Sequence, residues 1–81
     1  MEEVDCKKFL EKIVSHLVNQ PEEISITEVE GREVNILKLR VSKGEIGFVI
    51  GKSGKIANSI RVLLSAVSAR AGKRVILEIL D

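Results

Sequence analysis

The sequence predicts an α+β fold, a three-stranded sheet with helices on one side, in the order helix, strand, strand, short helix, long helix, strand. Three observations lead there. A helical apolar stripe occupies the amino end, the period switches to two near residue 23, and helical spacing returns beyond a glycine pair at 51 and 54. A length of 81 residues suits one domain over 1–81.

Residues 4–18 place Cys6, Phe9, Leu10, Ile13, Val14, Leu17 and Val18 at the i, i+3, i+4, i+7 spacing of an amphipathic helix. Asp5 is placed to cap it and Pro21 to end it. From Glu23 onward, Ile24 and Ile26 alternate with Ser25 and Thr27 as a short strand. Residues 30–33 are a turn, and 34–41 form a longer strand with Leu37, Leu39 and Val41 on one face. Two strands this close predict an antiparallel hairpin.

Ser42-Lys43-Gly44 breaks the second strand, and 45–50 is a short apolar helix of about one and a half turns. After the glycines, Ile56, Ile60, Leu63, Leu64, Val67 and Ala71 form a long helical stripe closed by Gly72. Residues 75–80 are the last strand. Alternation then sends Val29, Val34, Ile36, Ile76 and Leu80 to the open face of the sheet. Such a group is either an association patch or a scatter of surface aliphatics.

Composition narrows the function classes. A content of 44% hydrophobic and 31% charged residues suits a compact globule rather than a disordered tail. No apolar run approaches the ~20 residues of a membrane span. The acidic amino end is unlike a secretory signal, and the single cysteine, Cys6, can form neither an internal disulfide nor a metal site. The expectation is a cytoplasmic protein without cofactor or metal. Net charge is +1, but residues 1–33 hold nine acids and four bases, whereas 34–81 hold nine bases and three acids. That split points to a basic surface able to meet phosphates, unless the charges merely solvate two faces.

The motif of interest is Gly51-Lys52-Ser53-Gly54. Alone it is weak, since with glycine at ~7% a chain of this length holds one by chance about 0.4 times. Its setting raises its value: a short apolar helix precedes it, and Lys55 and a strong amphipathic helix follow. Glycine at both ends lets a backbone approach closely, and the helix beyond opens its unpaired N–H groups there. Lys52 and Lys55 add positive charge and Ser53 a hydroxyl. A helix–turn–helix joint needing small residues for packing remains the bland alternative. A nucleotide-binding P-loop is excluded, because the glycine spacing is one residue short and no downstream aspartate is placed for magnesium. A helix-turn-helix DNA reader stays as a minor alternative, weakened by strands on both sides.

The stretch Val49-Ile50-Gly51-Lys52-Ser53-Gly54-Lys55, with Ala57 and Ser59-Ile60-Arg61-Val62-Leu63-Leu64, resembles the KH signature, and the element order that of a type II KH domain, α-β-β-α-α-β, three helices packed on one face of the sheet. From Pro21-Glu22-Glu23 to Gly72-Lys73-Arg74-Val75-Ile76-Leu77-Glu78-Ile79, the chain is similar to KhpA, a family of small bacterial single-KH RNA-binding proteins. The resemblance implies a groove for about four nucleotides of single-stranded RNA, its backbone clamped by the GxxG loop. Gly51, Lys52, Ser53 and Gly54 would then hold phosphates, Ile50 and Ala57 would floor the groove, and Lys55 and Arg61 would form its basic rim. Ala57 departs from the larger aliphatic residue common at that position. The resemblance further implies an RNA chaperone or post-transcriptional regulator with effects on growth and division, self-association to a homodimer, and pairing with a larger KH-containing RNA-binding protein.

An absence of Trp and Tyr, with only two Phe, argues against an aromatic stacking platform; Phe9 lies on a core stripe, and Phe48 belongs to the core or the groove, with the core favoured. His16 falls on a helix surface and Cys6 on an apolar face, and neither has catalytic partners at recognisable spacing. Glu2-Glu3 and Glu22-Glu23 suit solvated positions. The chain is therefore not expected to be an enzyme. The competing functions are an interaction module with a vestigial loop and single-stranded DNA binding.

Overall fold

Asp5 starts the first helix. Its carboxylate accepts the amides of Lys7 and Lys8 at 3.0 and 3.3 Å, satisfying donors that the helix itself cannot. The computed structural model describes residues 5–80; Val4 of the expected helix, the Glu2-Glu3 pair and Asp81 lie outside them. Helix α1 spans Cys6–Ser15 and buries Leu10 and Val14.

α1 ends before Pro21. The amides of Leu17 and Val18 both fold back onto the Val14 carbonyl, at 2.9 and 3.2 Å. Those of Asn19 and Gln20 then leave the helix for the Glu45 carboxylate, at 2.8 and 3.1 Å. A tertiary acceptor thus replaces the helical one, and Val18 reaches the core from a turn. Pro21 instead opens a single 3-10 turn, Pro21–Glu23, where its missing N–H costs nothing.

Strands β1 (Ser25–Glu30) and β2 (Val34–Arg40) form the expected antiparallel hairpin, with Ile26 opposite Leu39. Strand β3 (Arg74–Ile79) lies parallel to β2, with Leu37 opposite Leu77, giving the order β1-β2-β3. A parallel pair needs a crossover, supplied by α2 (Ile46–Ile50) and α3 (Lys55–Ala69). The helices cover the face that carries Ile26, Leu37, Leu39 and Leu77, and with Leu10, Val14, Val49, Ile60 and Leu64 these form the core. Asn35 also points inward. Its Oδ1 accepts the Gly31 amide at 3.2 Å and Lys73 Nζ at 3.5 Å, while Nδ2 donates to Glu28 at 3.4 Å. A polar side chain is tolerated there because its donors and acceptors are satisfied.

The long helix is rotated relative to the expected stripe. Its buried positions are Ala57, Ile60, Leu64 and Ser68, whereas Leu63 is 46% exposed and Ala71 is exposed. Adjacent leucines lie 100° apart, and only the sheet selects which one is covered. Ser68 is accommodated because its hydroxyl donates to the Ser65 carbonyl at 3.3 Å. On the open face of the sheet, Val29, Ile36 and Ile76 are direct cross-strand neighbours in one row. Among the described residues no helix is long and apolar enough to cross a membrane.

Leu64→Ala should therefore destabilise by about 2–5 kcal/mol, against under about 1 kcal/mol for Leu63→Ala, both read from urea denaturation. Equal losses at the two positions would contradict this orientation of α3.

Candidate nucleic-acid interface

Helix α2 buries Val49 and stops at Gly51, whose amide donates to the Gly47 carbonyl at 2.9 Å. Gly51 adopts φ 75° and ψ 176°, a region essentially reserved for glycine. A Cβ there would also sit 2.5 Å from Ile56 Cγ1. One 3-10 turn, Lys52–Gly54, follows, closed by the Gly54 amide on the Gly51 carbonyl at 3.2 Å and the Lys55 amide on Lys52 O. Ser53 (φ 57°) and Gly54 (φ 75°) are both left-handed.

Three positive φ values in four residues turn the loop outward. Lys52 and Ser53 are exposed. No side chain caps α3, which opens at Gly54. Left-handed backbone at the entrance of a helix without a side-chain cap, beside the exposed Lys52 and Lys55, is an arrangement suited to phosphate oxygens.

The other expected site residues divide. Ile50 remains partly exposed before the loop. Arg61 is exposed on α3, and its Nη2 donates to the Leu77 carbonyl of β3 at 3.4 Å, so the guanidinium bridges helix and sheet. Ala57 is only 2% exposed and offers a ligand almost no contact area. Phe48 departs from the expected core position: it is 47% exposed, because Val49 occupies the one core-facing position of so short a helix.

Glu45 was not singled out in the sequence, yet it shapes the electrostatics. Between residues 34 and 77 there are nine bases and this one acid. Glu45 is buried, and its carboxylate is turned onto the amides of Asn19 and Gln20. The negative charge is thus compensated inside, while the lysines stay at the surface. Its position two residues after Lys43, at the start of an apolar helix, was the available signal. Elsewhere, burial pushes the Cys6 thiol up from its usual value, with Asp5 and Glu28 adding to the effect, which disfavours the reactive thiolate. His16 is exposed at the end of α1. No group of three His, Cys, Asp or Glu among the described residues could hold a metal ion.

Residues 7–79 match the family described as KhpA/KhpB, KH domain. The chain belongs to that family. Similar proteins include the RNA-binding protein KhpA of Aquifex aeolicus, 41% identical over 93% of this chain and 95% of that one. The RNA-binding protein KhpA of Borreliella burgdorferi is 45% identical over 91% of this chain and 90% of its own. That of Chlamydia trachomatis is 45% identical over 93% and 96%. Within the KhpA/KhpB family, the mixed sheet and the order α-β-β-α-α-β make this a type II KH fold.

The two glycines of this KH loop should differ in sensitivity. Gly51→Ala meets both a forbidden backbone region and Ile56, and should cost about 2–3 kcal/mol. Gly54→Ala has room for its Cβ and should cost about 1 kcal/mol. Denaturant midpoints in the reverse order would refute this loop geometry.

Proposed function

We propose that this protein binds single-stranded RNA, with the phosphates held on Gly51, Lys52, Ser53 and Gly54 and the basic rim formed by Lys55 and Arg61. The observation that carries this reading is the exposed loop with left-handed backbone at Ser53 and Gly54, beside Lys52 and Lys55 at the entrance of α3. Membership of the KhpA/KhpB family and relatives named RNA-binding proteins support RNA as the ligand. A loop of this kind grips about four nucleotides of backbone and leaves the bases to lie along the adjoining elements. Phe48 is the single strongly exposed aromatic among the described residues, so bases are held mainly by aliphatic contact and hydrogen bonds. In the cell this amounts to an RNA chaperone or post-transcriptional regulator in the bacterial cytoplasm, acting on growth and division.

Lys52→Asp combined with Ser53→Asp should abolish binding of a labelled oligoribonucleotide and leave melting almost unchanged. The loop contributes little to the core, and aspartate tolerates the left-handed position. For the unmodified protein, log affinity against log salt should have a slope of about −2 to −3, as expected for three or four phosphates on a single strand. Unaltered affinity in the double variant would point to a vestigial loop; preference for single-stranded DNA would reassign the ligand.

A partner surface follows from the sheet. The row Val29–Ile36–Ile76 leaves Val29 and Ile76 each 43% exposed, and we assign it to self-association or to pairing with a larger KH-containing RNA-binding protein. The mass measured by light scattering should rise with concentration and fall back to a monomer in Ile76→Asp. A strict monomer at high concentration would remove this assignment.

A further inference from the structure

We propose that the cavity beside the 41–44 loop is an additional nucleotide subsite, which takes the base and phosphate of a nucleotide outside the four held at the GxxG loop. This rests on the single-stranded RNA reading above and extends it.

The cavity has a volume of about 420 Å³, within the range that small ligands occupy. Val41, Ile46 and Leu80 supply aliphatic surface for the face of a base. Arg40, Ser42 and Lys43 supply two cations and a hydroxyl. Ser42 Oγ accepts Gln20 Nε2 at 3.1 Å, and a hydroxyl that accepts one bond can still donate another to a ligand oxygen.

Placement connects the cavity to the loop. Ile46 and Ile50 are four residues apart on α2, so they share one flank of the helix, about 6 Å apart along its axis. Ile50 directly precedes Gly51. A strand clamped at 51–54 that continues along this flank arrives at Ile46 and the cavity.

The cavity is also held in shape. The Glu45 amide donates to the Ser42 carbonyl at 2.9 Å, the Glu45 carboxylate takes the amides of Asn19 and Gln20, and Gln20 bonds Ser42. A loop tied at both ends loses little entropy when a ligand arrives. Charge selects the occupant. Among the described residues the cavity lining contains no acid, and Glu45, between the lining residues Gly44 and Ile46, is turned inward; Asp81, which follows Leu80, lies outside the described residues. Another cavity, about 400 Å³, is lined by three acids, Asp5, Glu28 and Glu30, against one cation, Lys73, and suits a phosphate less well.

The test is fluorescence anisotropy with labelled oligouridylates of four and six nucleotides. Six nucleotides offer three registers of four, so occupancy of the loop alone gives about a threefold gain. The unmodified protein should exceed that, reaching about thirtyfold, because a second set of contacts is engaged. Lys43→Glu should bind the tetramer within about twofold of the unmodified protein and lose about tenfold on the hexamer. Lys12→Glu makes the same charge change on exposed α1 and should leave the hexamer-to-tetramer ratio unaltered. A merely threefold gain in the unmodified protein, or equal losses on both lengths in Lys43→Glu, overturns the subsite and leaves the loop reading intact. No binding of either oligonucleotide overturns both.

Discussion

Between α2 and α3 the chain passes through one backbone conformation, φ 75° and ψ 176° at Gly51, that side-chain-bearing residues do not tolerate. Without that break, the apolar residues of 46–50 and 56–67 would favour one continuous helix, and the crossover from β2 to β3 could not fold back over the sheet. The same break sets the turn Lys52–Gly54 at the surface, ahead of α3. The chain reversal and the placement of the glycine-bounded loop therefore come from a single constraint. Ile56 packs where a Cβ at Gly51 would be, which holds the break tightly against α3.

A second linkage runs through Glu45. Its carboxylate satisfies two amides after α1 and fixes the loop that leads into α2. Charge-assisted bonds of this kind are stronger than neutral ones, and removing the carboxylate would leave two part-buried amides without this acceptor. Because this is the sole acid between residues 34 and 77, turning it inward also leaves the potential over the basic half of the chain unopposed. Local stability and the surface charge of the basic half are both served by one side chain.

Much of this was legible from residue pattern. Period and punctuation locate the six main elements, Asp5 announces its cap, and the Gly51–Gly54 motif with its lysines marks the loop. The readings that failed share a cause. Pro21 does not end α1, because Glu45, twenty-six and twenty-five residues from Asn19 and Gln20, withdraws their amides first. Leu63 and Phe48 are as apolar as their buried neighbours Leu64 and Val49 in a one-dimensional pattern, and their exposures of 46% and 47% depend on which helix face meets the sheet.

Local spacing and backbone chemistry, which act over a few residues, were enough to specify the helices, the hairpin and a glycine-bounded loop rich in positive charge. The parallel pairing of β3 with β2, the inward turn of Glu45, the rotation of α3 and the basic cavity beside Lys43 arise only when distant segments pack. Each is a choice between conformations of nearly equal local energy, settled by contacts that no neighbouring residue can supply.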